Sequence, residues 1–398
     1  MNALNDIKDS DAPNALPLIW AEIDLNAIAS NVRELRRRTR PQAKLMAVVK
    51  ADGYGHGAAE VARTALANGA EWLGVARLPE AVALREAGFD APILVFGYTP
   101  PADAGRLVDH DLRQSVYSLD AARAYSAAAT ARGRPIRVHF KVDTGMGRLG
   151  LVPAALCALE PGHSIGEDFI RTATAIASLP GIEPEGIFTH FAAADSADLS
   201  YAERQLALFT AAVSALRANG LEFALRHAAN SAALIALPES HLDLVRPGIA
   251  LYGLRPSDEI DLTGIVLKPA MALKTRIVHL KAVPAGTAIS YGMTYRAPRP
   301  TVIATVPAGY ADGFRRQLSS QGPMLVRGRR VSVVGRVCMD LCMLDVGAVP
   351  DARVDDEVVI FGRQGAESIS ADDLAHELGT INYEIVCDVS ARVPRVYL

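Results

Sequence analysis

A chain of 398 residues has room for two domains, or for one large domain with a smaller one appended. Half of its residues are hydrophobic and 21% are charged, the balance of an ordinary globular protein. A formal net charge of -3 speaks against nucleic acid or an acidic membrane surface as partner.

In chain order, the segment 1–17 is polar, carries Asp9, Ser10 and Asp11, and reads as a flexible tail. It lacks a basic-then-apolar signal pattern, and no apolar run is long enough to span a membrane, so a cytoplasmic protein is expected. A short strand, Leu18 to Glu22, has no obvious place in a barrel and is a candidate to pair with a later β domain. The stretch Asp24 to Thr39 predicts a helix, with Ile28, Val32 and Leu35 on one face and an aspartate at its entrance. Its closing basic run, Arg36 to Arg38 with Arg40, reads as a solvated helix face.

Eight strand-like runs follow: Lys44 to Lys50, Trp72 to Ala76, Pro92 to Gly97, Arg113 to Tyr117, Arg137 to Asp143, Gly186 to Phe191, Phe223 to Asn230 and Leu242 to Tyr252. Most are separated by alanine-rich amphipathic segments such as Ala58 to Asn68 and Ala202 to Ala218. This alternation predicts a (β/α)8 TIM-type barrel over 18–260, with a doubly wound sheet as the competing arrangement.

Over 261–398 the texture changes to short runs rich in Val, Ile and Thr between Gly, Pro and Asp turns. The runs are Lys274 to Val283, Thr301 to Pro307, Met324 to Val326, Arg330 to Val337 and Glu357 to Phe361, with a helix near Ala371 to Leu378. They predict a mainly antiparallel β domain. Four cysteines, without paired Cys-x-x-Cys motifs, give no reason to expect a metal; Cys338 and Cys342 lie in an apolar run and read as small buried thiols.

Polar residues gather where barrel strands end, the place from which such barrels draw their chemistry. The first run closes on Lys50 and a glycine-rich turn with Tyr54, which suits a desolvated amine beside an anion site; a snorkelling surface lysine is the plain alternative. Lys141 alternates with residues facing the barrel interior, where an unmodified ammonium is costly; pairing with Asp143 would be its structural explanation. His190 closes the sixth run and, taken alone, reads as a satisfied core histidine. Asn230 closes the seventh run and Ser231 follows it, while Arg246, Gly248 and Ile249 belong to the eighth, where barrels of this type bind phosphate. Each signal is weak alone, and five in strand order are strong.

At these residues the chain resembles the alanine racemase family, from about Ile19 to its C-terminus. The resemblance rests on Ala47-Val-Val-Lys-Ala-Asp-Gly-Tyr-Gly-His-Gly57, Lys141-Val-Asp-Thr-Gly-Met-Gly-Arg148, Ser290-Tyr-Gly-Met-Thr-Tyr295, Val337-Cys-Met-Asp340 and Ile381-Asn-Tyr-Glu384. It implies a pyridoxal 5'-phosphate enzyme that interconverts L- and D-alanine, supplies D-alanine for peptidoglycan, and works as a homodimer with shared active sites. By the same resemblance Lys50 carries the cofactor and is one catalytic base, and Tyr291 of the partner subunit is the other. Tyr54, Ser231, Gly248, Ile249 and Tyr383 would hold the phosphate, with Asn230 beside them. Arg246 would meet the pyridine nitrogen, and Arg148 the phenolic oxygen and the substrate carboxylate. Lys141 matches a lysine that is N-carboxylated in many members and orients Arg148. His190 would connect Tyr291 of the partner subunit to Arg246. The backbone of Met339 would meet the substrate, and Asp195, Tyr310, Arg336 and Asp340 would line the access corridor.

Two departures stand out. Asp52-Gly53 replaces the Asn-Ala of many relatives, and the stretch Leu151 to Pro184 looks longer than usual, with Gly162 to Asp168 as the surplus. Rival readings are a serine or broad-specificity racemase, a non-catalytic pyridoxal-phosphate carrier and a decarboxylase. Carriers look like a lone barrel without the domain that holds Tyr291, and decarboxylases place an acid where Arg246 stands.

Overall fold

Strands that are apolar almost throughout can be buried on both faces, which is what a parallel sheet covered by helices requires. The computed structural model describes residues 17–153 and 165–398. The expected tail up to residue 16, Cys157 and residues 162–164 of the expected surplus lie outside them; Glu167 and Asp168 form the first turn of the helix Glu167–Ala177. The chain divides into two compact units, Asp24–Ala270 and Met271–Leu398 with the segment ending at Ile23.

The first unit, among the described residues, is built on eight strands: β2 (Lys44–Val48), β3 (Trp72–Val75), β4 (Ile93–Val95), β5 (Arg113–Val116), β6 (Ile136–Lys141), β7 (Ile182–Phe188), β8 (Leu225–His227) and β9 (Leu244–Val245). Their order is β8-β7-β6-β5-β4-β3-β2-β9, each pair parallel. Backbone bonds from Asp243 to Arg226 (3.0 Å) and from Arg246 to Ala229 (2.9 Å) draw the first and last strands of that order together into a nearly closed ring. Met46, Trp72, Leu94, Leu225 and Leu244 pack within it as a buried cluster. The chain thus has the (β/α)8 TIM-type barrel and not the doubly wound sheet.

Outside the ring, the helix Leu25–Arg38 is capped by Asp24, whose carboxylate accepts from Ala27 N at 2.9 Å. It buries Ile28, Val32 and Leu35 completely, which contributes about 2 kcal/mol for each side chain. The closing arginines are not all solvated. Arg36 donates to the carbonyls of Thr39, Arg40 and Ala43, satisfying acceptors that a helix end leaves open.

The second unit is centred on β10 (Met271–Arg276), which pairs antiparallel with β1 (Ile19–Ile23) in the register Ile19 to Thr275 through Ile23 to Met271. Further antiparallel strands are β11 (His279–Val283), β12 (Ala288–Ile289), β13 (Tyr295–Arg296), β14 (Thr301–Val306), β15 (Pro323–Val326), β16 (Arg329–Ser332), β17 (Cys342–Asp345), β18 (Glu357–Gln364) and β19 (Glu367–Ile369). Strand β20 (Arg395–Tyr397) runs parallel to β1. The run Lys274 to Val283 is two strands, not one, because the chain leaves one sheet at Ile277 and enters another at His279. The run Arg330 to Val337 ends as a strand at Ser332 and continues only as an isolated bridge between Val333 and Leu344. Cys342 is buried as expected, but Cys338 is half-exposed, since the chain has left the strand there. Helix Asn382–Cys387 was not legible in the sequence.

Candidate active site

The first strand-end signal is a strained turn. β2 ends at Val48, and Ala51, Asp52, Gly53 and Tyr54 after Lys50 all have positive φ, at 52°, 51°, 61° and 51°. Left-handed residues other than glycine cost roughly 1–2 kcal/mol each and rarely occur in succession, so the surroundings must hold the turn. They do so through Glu80, which accepts from the backbone of Ala51 at 2.7 Å, and Asp52, which accepts from Ala58 N at 2.8 Å. Gly53 suits the turn by its conformation and its room, because a Cβ there would lie 3.2 Å from Ala58 Cα. Lys50 Nζ stands 5.8 Å from the centre of the Tyr54 ring. That ring is buried against Tyr252 at 4.9 Å, and the Tyr252 hydroxyl donates to Val48 O, so a tilted pair of rings supports the lysine turn.

Beside this turn, the segments after β8 and β9 meet. Ser231 Oγ accepts from Gly248 N at 2.8 Å and from Ala250 N at 3.3 Å. A Cβ on Gly248 would fall 2.5 Å from the Tyr54 hydroxyl, so the missing side chain makes room for that group. Asn230 accepts from Ala233 N and caps the helix Ser231–Ala236. Two hydroxyls and the backbone that begins the turn Ile249–Tyr252 therefore share one corner of the barrel mouth, a set of small donors suited to phosphate.

The third feature is concentrated positive charge. Arg246 is 4% exposed and donates to Thr189 O at 2.9 Å, Ala228 O at 3.0 Å, His227 Nδ1 at 2.9 Å and His190 Nδ1 at 3.3 Å. Burial pushes its guanidinium down to about 9, still well above neutrality, so it stays protonated. Lys141 lies over the Phe188 ring at 4.7 Å, and Arg246 over the same ring at 5.4 Å. Burial, with the charges of Arg246 and Arg148, holds the Lys141 amine well below its ordinary range. Asp143 does not pair with it; that carboxylate accepts from Gly145 N and Gly147 N. No carboxylate of the described residues forms an ion pair with Lys141 or Arg246. His190 is held neutral by burial and then by Arg246, Lys141, Arg148 and Lys50. Its backbone carbonyl is gripped by Gln205, which also reaches the hydroxyl of Thr144.

The predicted residues of the second unit form their own neighbourhood. Tyr291 is 74% exposed, and Ser290 beside it anchors the turn by donating to Arg336 O at 2.7 Å. Tyr310 N bonds Cys338 O, Ala311 N bonds Met339 O, and Arg392 bridges Asp312 to Asp340. Met293, Tyr310, Met339 and Leu341 are exposed apolar side chains in the same segments. Tyr383 lies in the helix Asn382–Cys387, and Asp195 belongs to the barrel unit, where its carbonyl accepts from Ser257. Glu80, His139, Glu185, Gln205 and the role of His227 are not legible in the sequence, because isolated polar residues within strands and helices carry no periodic signal.

Residues 23–256 match the family described as alanine racemase, N-terminal domain, and residues 270–397 match alanine racemase, C-terminal domain. The chain belongs to the alanine racemase family. An alanine racemase of Desulfosudis oleivorans is 56% identical over 95% of this chain and 96% of its own length. One of Methanococcus maripaludis is 48% identical over 96% of this chain and 98% of its own. Among solved structures, the alanine racemase from Streptomyces coelicolor A3(2) superposes with a TM-score of 0.88 at 42% identity, covering 96% of this chain and 98% of that one. That from Streptomyces lavendulae, a D-cycloserine producer, gives 0.89 at 40% identity, over 97% and 98% of the two chains. Alanine racemase likeness thus extends through both units.

Proposed function

We propose that this protein interconverts L- and D-alanine, with pyridoxal 5'-phosphate joined to Lys50 and a second copy of the chain completing each site. The observation that carries this reading is the barrel mouth, where Lys50, Lys141, Arg148 and Arg246 are close enough to depress one histidine and no acid among the described residues pairs with Lys141 or Arg246. Such a site calls for anions, and a phosphate, a phenolate oxygen and a substrate carboxylate supply them. Tyr54, Asn230, Ser231, Gly248 and Ile249, with Tyr383, would hold the phosphate. When bound, the cofactor supplies an electron sink for the charge left on the α-carbon.

The chain's own residues do the rest. Inversion removes a proton from one face of the α-carbon and returns one to the other, and two bases on opposite faces accomplish this without reorientation. Lys50 serves one face, and Tyr291 of the partner subunit serves the other. The exposure of Tyr291 and of the apolar side chains in neighbouring segments supports a dimer, since an aqueous face would expose both the base and its intermediates. Arg246 would meet the ring nitrogen as a hydrogen-bond donor. Arg148 receives the substrate carboxylate with the backbone of Met339, and Asp195, Tyr310, Arg336 and Asp340 line the approach. Lys141, buried with no acid ion pair among the described residues, would add carbon dioxide as a neutral amine, release one proton and become a carbamate anion that orients Arg148. No helix of the described residues is long and apolar enough to cross a membrane. We place the reaction in the cytoplasm, ahead of peptidoglycan assembly.

The test is racemisation across a panel of amino acids, with absorbance recorded and Lys50 trapped by borohydride. Alanine as the preferred substrate with an adduct at Lys50 is the expected result. Colourless protein with no adduct, or a preference for serine, would overturn the corresponding part.

A further inference from the structure

Behind Arg246, a line of buried polar groups runs into the barrel away from the mouth. His227 Nε2 is 2.8 Å from His139 Nδ1, and His139 Nε2 is 3.1 Å from a carboxylate oxygen of Glu185. Both rings are fully buried. Glu185 in turn meets Arg113 at 3.4 Å, and Arg113 meets the exposed carboxylate of Asp111 at 3.1 Å.

The two ends fix the direction of this chain. Arginine has no acceptor and must donate to His227 Nδ1, while an ionised carboxylate has no donor and must accept from His139 Nε2. Only one arrangement satisfies every contact: both rings neutral, each with its proton on Nε2. Burial favours neutrality at both histidines, with the charge of Arg246 acting in the same direction; at His139 the hydrogen bond and charge of Glu185 oppose burial without reversing the shift.

The backbone is shaped to this end. Pairing between β6 and β7 runs Val138 to Pro184 and then His139 to Gly186, so Glu185 is passed over in the register. Such an irregularity re-aims a side chain. A Cβ on Gly186 would fall 2.5 Å from His139 Nδ1, so the glycine leaves space for that ring. The His227 ring stacks on Phe188 at 4.7 Å with an interplanar angle of 3°, and His139 meets Trp72 edge-on.

We infer that Glu185 is a positioning residue that acts through His139 and His227 to hold the guanidinium of Arg246 in one orientation at the mouth. Reversing the chain would set a His227 Nδ1 hydrogen against an Arg246 hydrogen and turn the guanidinium away. The role rests on Arg246 facing the cofactor as proposed above; the direction of the chain does not.

The test is histidine 15N–1H spectroscopy of the holoenzyme, with His139 and His227 assigned by single substitution. In the unaltered protein both rings should be neutral Nε2–H tautomers from about pH 6 to 9. Glu185→Met removes the acceptor and should admit the Nδ1–H tautomer at both rings. It should lower kcat on the order of tenfold, with KM for alanine within about twofold. Glu185→Gln keeps an acceptor oxygen and should restore both. An Nδ1–H tautomer or imidazolium in the unaltered protein would overturn the inference even if Glu185→Met failed to fold. Unchanged tautomers or unchanged kcat in Glu185→Met would overturn it too. Inactive unaltered protein with the expected tautomers would instead count against the racemase reading alone.

Discussion

Nη2 of Arg246 stands 3.3 Å from Nδ1 of His190. Because arginine only donates, the His190 proton belongs on Nε2, where it is available to an acceptor outside this chain's barrel. In the proposed dimer that acceptor is the phenol of Tyr291 of the partner subunit. Substituting Tyr291→Phe is expected to slow α-hydrogen exchange in deuterated water by roughly 10²–10⁴-fold from one enantiomer and far less from the other. Equal losses from L- and D-alanine would contradict the assignment of one base to each face.

Arg246 bears on side reactions as well as on rate. With the cofactor bound as proposed, a protonated guanidinium could not readily pass a proton to the ring nitrogen, which would keep the cofactor a weaker electron sink. Arg246→Glu should therefore produce a new long-wavelength absorption band and increased transamination. Racemisation should fall on the order of 100-fold. Spectra and product analysis of the variant check this, and an unchanged absorption profile would argue against it.

Gly248 offers a test of the phosphate corner. A methyl group there would collide with the Tyr54 hydroxyl, so Gly248→Ala should weaken cofactor affinity by about tenfold, read by titrating apoenzyme with pyridoxal phosphate. In a Tyr54→Phe background the obstructing oxygen is gone, and the same change should cost distinctly less. Strict additivity would separate the two residues.

The histidines around Arg246 also predict how stability responds to acid. His139, His190 and His227 are all held below the ordinary value of 6.5, chiefly by burial. The unfolded chain binds protons that the folded chain refuses, so stability falls as pH drops below about 6.5. The slope is up to about 1.4 kcal/mol per pH unit for each ring. Denaturant titrations between pH 5 and 8 should show proton uptake on unfolding, and replacing His139 with Gln should reduce it.

Lys141 gives a chemical test. Its buried amine has no acid ion pair among the described residues and is held toward its neutral form, and carboxylation by carbon dioxide would turn it into an anion facing Arg148. Intact mass under non-acidic conditions should exceed the sequence mass by one carbon dioxide, and Lys141→Ala should lower activity. Unmodified lysine in fully active protein would reject the assignment.

What could be read along the chain were features carried by neighbouring residues. The apolar runs of the eight barrel strands, the Asp24 cap and the placement of Lys50, Lys141, His190 and Arg246 at strand ends all depend on local pattern, which hydrophobic periodicity expresses directly. The shape of the Lys50 turn was not legible, since Ala51, Asp52 and Tyr54 hold positive φ only because Glu80 and Ala58 grip the turn. The break between β10 and β11, and the exposure of Cys338, follow from which sheet each segment joins. Arg246, His227, His139 and Glu185 are scattered over more than a hundred positions and meet only because three parallel strands and the segment after a fourth bring them together. A hydrogen bond between distant residues leaves no period in the sequence, whereas an amphipathic strand does, and only the folded barrel could decide that the first would exist.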